Sequence, residues 1–163
     1  MQKMWRIFYV LVMILFISSV ASASDIKGTI GVVLKSGDIK YGAKVDVYLS
    51  TMEVSVPTMA SESSYKNPYD YKRALVVALS AAWQSIQREM NAPSYISQKT
   101  KANFSGKFSF TGVSSGKYFI VVTYPTTIAM HKVLWQLPIV IGNKDLEVEL
   151  SNDNMALPPY YER

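Results

Sequence analysis

The sequence predicts a mainly β fold: an antiparallel two-layer β-sandwich with one long α-helical insert between its second and third core strands. Three observations carry this expectation. Residues 100–122 (TKANFSGKFSFTGVSSGKYFIVV) hold two runs of two-residue alternation separated by a Gly/Ser turn. Four more short alternating runs flank them, separated by turn-forming residues, which is the rhythm of a sandwich. Between the second and third runs, about fifty residues replace that period with a helical one.

The N-terminus reads as an address. Lys3 and Arg6 precede an apolar run, Ile7 to Ile17, and Ala21-Ser22-Ala23 forms a small-residue cleavage box. Residues 1–23 are therefore expected to be a cleaved signal peptide. The run is shorter than the ~20 apolar residues of a spanning helix, so no membrane span is expected after cleavage. The mature chain would be periplasmic or secreted. Removing 23 residues from 163 leaves 140, the size of one domain. That domain is expected over residues 24–152, with residues 153–163 as an extended, Pro-rich tail. The chain has no cysteine, so packing alone must hold it, and neither a thiolate metal site nor a thiol-linked lipid is available. Loss of Lys3 and Arg6 leaves 15 basic against 12 acidic residues, a net charge of +3. The basic residues are scattered, which argues against nucleic acid as a partner.

The strands follow in order. Residues 26–35 form the first. In residues 43–49, Val45, Val47 and Leu49 alternate with Lys44, Asp46 and Tyr48. Residues 102–110 place Phe108 and Phe110 on one face, and residues 117–124 do the same with Tyr118, Ile120 and Val122. Residues 133–141 align Trp135, Leu137, Ile139 and Ile141. Pro138 has no N–H for a ladder, so this strand belongs at an edge or at a bulge. In the last strand Leu146, Val148 and Leu150 face inward and Glu147 and Glu149 outward.

The insert spans about residues 51–99, with a helix over about 68–91. Asn67 caps it, Pro68 takes the first position and Asp70 the first turn. Leu75, Leu79, Ala82, Trp83, Ile86 and Met90 form one apolar stripe, opposite Arg73, Ser80, Gln84, Gln87 and Arg88. The stripe must be covered, by the protein's own sheet or by a partner.

Laid out this way, the sequence resembles a carboxypeptidase regulatory-like domain, of the transthyretin-like (prealbumin-like) group of Ig-like sandwiches. The carrying segments are Gly28 to Lys35, Gly42 to Leu49, Thr100 to Val113 and Ser115 to Val122. The group's threonine, glycine, F-x-F and G-x-Y pattern maps onto Thr100, Gly106, Phe108, Phe110, Gly116 and Tyr118. Asn103 stands where an aspartate is common, and the insert is far longer than the usual connection. The resemblance implies a small non-catalytic sandwich, used elsewhere as an accessory, adhesive or carbohydrate-associated module. The group also contains hydroxyisourate hydrolases, which use several histidines and an Arg-bearing C-terminal signature. One histidine and the ending Tyr160-Tyr161-Glu162-Arg163 do not reproduce these.

Chemistry is sparse. His131 is the only histidine, no G-x-S-x-G elbow exists, and no ligand spacing suits zinc. Glu147 and Glu149 share a wet strand face, and residues 151–154 read as a turn. A Lys–Asn crosslink between Lys27 or Lys35 and Asn152 would need a buried acid that the strands over 102–124 lack. Tyr65, Tyr69, Tyr71 and Tyr95 flank the helix and are the candidate recognition residues, since exposed aromatics stack on sugars or anchor protein partners. The expectation is a non-enzymatic exported binding or assembly module, without cofactor, whose partner is another exported protein or a carbohydrate. The alternative is an extracellular structural or adhesive sandwich unit. A small hydrolase ranks last, because no catalytic constellation can be assembled.

Overall fold

The computed structural model describes residues 23–161. The signal sequence predicted over 1–23 lies outside the described residues but for Ala23, as do Glu162 and Arg163 of the tail.

Two sheets face each other, and a helix covers the outside of one. The first sheet centres on β1 (Ala23–Val33). β10 (Leu146–Leu150) runs along one edge of β1, while β5 (Lys107–Ser114) and β2 (Ile39–Tyr41) pair with it in antiparallel register. The second sheet has the order β4 (Ile96–Lys101), β3 (Asp46–Ser50), β6 (Gly116–Val122), β9 (Trp135–Ile141). A small third sheet joins β7 (Thr127–Ile128), β8 (His131–Lys132) and β11 (Tyr160–Tyr161). All these pairs are antiparallel except β1–β10, which is parallel. Parallel neighbours need a long crossover. Here the crossover is everything between the first strand and the tenth.

Alternation explains the core. Ile26, Ile30, Phe108, Phe110 and Leu150 of the first sheet meet Val47, Leu49, Ile120, Val122 and Trp135 of the second. β9 is an edge strand, as Pro138 requires. Gly106 makes the β4–β5 turn possible: its φ is +71°, and a Cβ there would stand 2.5 Å from the Ile30 carbonyl.

The helix α1 (Pro68–Met90) lies between β3 and β4 and starts as its residues dictate. Asn67 Oδ1 accepts the Asp70 backbone N–H at 2.9 Å, and Asn67 Nδ2 donates to the Asp70 carboxylate at 2.8 Å. Its stripe packs on the protein's own sheet. Leu75, Leu79, Ala82 and Ile86 are buried against Val121 and Leu134, with Phe119 and Tyr48 half-buried beside them. Trp83 is half-buried, edge-on to Tyr124 with ring centroids 6.3 Å apart. β6 is thus apolar on both faces, which the unbroken run Phe119-Ile120-Val121-Val122 encodes.

Three expectations change. The insert closes at Tyr95 rather than 99, because Ile96 already pairs with Ser50 and β4 is a sheet strand. The Gly/Ser break at 114–116 is no hairpin: β5 belongs to the first sheet and β6 to the second, so the chain crosses between layers at Ser115. Residues 153–161 are held down. Leu157 is buried in the helix cluster, Ala156 N–H donates to the Leu134 carbonyl at 3.0 Å, and β11 pairs with β8.

Candidate functional site

Since α1 covers the second sheet, the open surface of the sandwich is the outer face of the first. Odd-numbered residues of β1 point there, because successive side chains alternate across a strand. Register decides what stands beside them. Lys27 lies between Glu147 and Ser109, and Thr29 between Glu149 and Lys107. Gly31 is paired with Tyr41, and Val33 with Ile39. One half of the face is therefore charged and polar, the other apolar. From Lys27 to Val33 it extends about 20 Å, at ~3.3 Å per residue.

Two open grooves run along this face and share Thr29, Glu147 and Val148. The larger, about 590 Å³, lies at the charged end, and Lys101 of the second sheet's edge strand and Asn103 of the β4–β5 turn also line it. The other, about 480 Å³, has Tyr41, Ile39 and Val33 on one side and Glu149 and Ser151 on the other. Its floor is Gly31, where a Cβ would come 3.0 Å from Ile39. Tyr41 is 51% exposed, so its ring is available to a ligand. The face offers carboxylate acceptors, ammonium and hydroxyl donors and one ring. That set suits a ligand rich in hydroxyls. It is poorly suited to the two-carboxylate form of acid–base chemistry, in which the two carboxyls are held in different environments. Glu147 and Glu149 stand side by side on an open surface.

A charged cluster borders the larger groove. Asp46 of β3 faces both Lys99 (3.1 Å) and Lys101. The Lys101 ammonium holds the Asp46 carboxyl below its usual range; partial burial opposes this, and Lys99 adds to it. A depressed carboxyl stabilises the fold above its unfolded pKa, and that stabilisation is lost as pH falls through the folded value. The Asp46 side chain is 34% exposed, so the contribution is small. Asp46→Asn is expected to lower stability by about 0.2–1 kcal/mol at pH 7. The gap from the parent should close below about pH 4, as followed by urea midpoints across pH.

The insert tyrosines are dispersed. Tyr95 is wholly buried under α1 and is a core residue, not part of a surface. Its hydroxyl completes no hydrogen bond; burial pushes its pKa up, and Ser50 beside it offsets part of that. Tyr65 and Tyr71 pack edge to face, centroids 5.4 Å apart. Tyr71 also lines a groove of about 460 Å³ between residues 56–62 and the C-terminal segment 156–158. Burial, with Glu62 and Tyr65 nearby, raises its hydroxyl pKa. Tyr69 alone is free, 73% exposed on α1.

His131 sits in the β7–β8 hairpin. Its Nδ1 is 2.9 Å from the Ala129 carbonyl, and its ring is 5.0 Å from that of Tyr161. The Asn152 amide engages Val33 on both sides: it accepts the Val33 N–H (2.9 Å) and donates to the Val33 carbonyl (3.0 Å), extending the edge of β1 beyond β10. The Lys27 ammonium stands 3.9 Å from the Asp145 carboxylate. Among the described residues, no group of three or more His, Asp or Glu side chains could hold a metal, and no helix is long and apolar enough to cross a membrane.

Sequence reasoning found the outward residues of β10 through alternation, but assigned no faces to β1. It did not find β2, nor that Tyr41, Thr29 and Lys107 share a surface, because pairing partners are not written locally.

No family model matches the sequence, and no curated protein matches it. Solved structures similar to it include a candidate carbohydrate-binding protein of Pseudomonas aeruginosa, 14% identical, TM-score 0.44, covering 80% of this chain and 89% of that one. The major pilin subunit of Bacillus cereus is 10% identical with a TM-score of 0.43, over 80% of this chain and 30% of that one. A minor pilin of Streptococcus agalactiae is 12% identical with a TM-score of 0.43, over 80% and 44%. At these scores none of them carries an argument about what this chain binds.

Proposed function

We propose that the protein is an exported, non-enzymatic binding or adhesive module, of the carboxypeptidase regulatory-like kind, that takes a carbohydrate chain along the open face of its first sheet. One observation carries the reading: strand register gathers Lys27, Thr29, Tyr41, Lys107, Glu147 and Glu149 on the one sheet face that α1 leaves bare. Sugars present apolar C–H faces to rings and hydroxyls to carboxylates and ammonium groups, and both kinds of partner stand here within one extended track. Its length suits a polymer rather than a single small molecule.

The insert then acts chiefly as a cover that leaves one binding face. Tyr69 and the exposed Val77 on the outer side of α1 support a second reading, contact with another exported protein.

Affinity electrophoresis of the mature chain through gels cast with individual polysaccharides tests the main reading. At least one polysaccharide should retard it, and Tyr41→Ala should weaken that retardation about tenfold, the value of one ring contact. Tyr69→Ala should leave it unchanged. Absence of retardation by every polysaccharide, or loss through Tyr69 instead of Tyr41, would move the function off this face.

A further inference from the structure

More ammonium groups than carboxylates line the larger groove at the charged end of the open face. Lys27, Lys101 and Lys107 stand around the larger groove, with Glu147 as its only acid. Asp46 is shared between two ammonium groups, those of Lys99 and Lys101, so one carboxylate leaves a surplus cation. The Lys27–Asp145 contact is 3.9 Å long with both side chains 60% exposed, which holds Lys27 only weakly. Among the described residues, Lys107 has no ion pair.

The backbone under these lysines is fixed. Asn103 Oδ1 accepts from the N–H groups of Ser105 and Lys107, both at 2.9 Å. Asn103 N–H donates to the Lys107 carbonyl at 2.8 Å. The same turn holds Phe104 out, 76% exposed, with the Lys44 ammonium 4.7 Å from its ring centroid. An ammonium and a ring therefore stand together beside the groove.

We propose that the carbohydrate taken by this face is acidic, a polysaccharide whose anionic groups are held by Lys101 and Lys107. This rests on the carbohydrate reading above and names the class of ligand. Glu147 and Thr29, further along the track, would meet hydroxyls of the neighbouring units. The concave arrangement favours a chain over a bilayer: the lysines surround a groove, and Phe104 is the single large apolar group on the turn. Positive charge on a low-dielectric wall attracts anions at long range, and salt screens that attraction.

The experiment compares polygalacturonate with its fully methyl-esterified form, the same backbone without the charge, by titration calorimetry of the mature chain. The acidic form should bind at least tenfold more tightly at low salt, with most of the difference lost at about 0.5 M salt. Lys107→Gln should weaken binding of the acid about tenfold, the loss of one charge-assisted hydrogen bond, and leave the thermal midpoint unchanged. Lys101→Gln should weaken binding likewise, with the small loss of stability that follows from breaking its pair with Asp46, and Lys107→Arg should retain binding. Equal binding of both forms, or indifference to Lys107→Gln, overturns the acidic class while the open-face reading survives. Binding of neither form overturns the acidic class, while the open-face reading is decided separately by the polysaccharide gels. Preference for phosphatidylglycerol vesicles over polygalacturonate overturns the proposal in favour of a lipid surface.

Discussion

Trp135→Ala is expected to cost about 3–5 kcal/mol of stability, as large-to-small changes of buried aromatics do. Trp135 is wholly buried between the two layers, on edge strand β9 of the second sheet. Its indole N–H donates to the Ser151 carbonyl at 2.9 Å. Ser151 follows β10 directly, so the bond ties an edge of one sheet to the end of the last strand of the other. Removing the ring opens a cavity and strips a carbonyl of its donor. A domain of this size has about 5–15 kcal/mol in total, and no disulfide adds to it here. Trp135→Phe separates the two losses: it keeps most of the packing and gives up one hydrogen bond, worth about 1 kcal/mol. Urea unfolding followed by circular dichroism measures both. A loss under about 1.5 kcal/mol for the alanine variant, within the range of one neutral hydrogen bond alone, would mean that the ring is not a keystone between layers.

Gly28→Val is expected to destabilise by about 1–3 kcal/mol or more through overpacking. Gly28 points into the core from the middle of β1. A Cβ there would lie 2.2 Å from Cζ of Phe108 and 2.8 Å from Cγ2 of Val148. Phe108 cannot simply swing aside, since it is nearly buried and packs edge to face on Phe110 at 5.9 Å. Conformation pulls the other way. No left-handed φ holds Gly28, and a side chain in a strand gains about 0.5–1 kcal/mol over glycine. The steric term is larger and decides the sign. Phe108→Leu in the Gly28→Val background should recover part of the loss, with a coupling of about 0.5–3 kcal/mol in a double-mutant cycle. Strict additivity of the two changes would show that the ring does not lie over the glycine.

Several elements were legible because their signals are local. Asn67, Pro68 and Asp70 specify the start of α1, and its apolar stripe specifies the face it buries. Pro138 specifies an edge. Leu146, Val148 and Leu150 specify the inner side of β10, and with it the outward aim of Glu147 and Glu149. β4 was not legible: its inward positions are Ile96, Gln98 and Thr100, too polar to announce a strand. β2 is three exposed residues, and only its pairing with β1 defines it. Four tyrosines near the helix looked equivalent in the sequence. Packing alone sent Tyr95 to the core and left Tyr69 in solvent.

By itself the sequence determined the class of fold, the presence, start and buried face of the helix, and which side of most strands would be wet. These follow from side-chain period and capping, which act over a few residues. Tertiary structure decided that β5 and β6 part into different layers, that β10 lies parallel to β1, and that α1 seals the second sheet. Those choices depend on contacts between residues about a hundred positions apart, such as Lys27 with Glu147. The binding face belongs to this second group. Tyr41, Thr29, Lys107 and Glu149 become one surface only when four separate segments align in register.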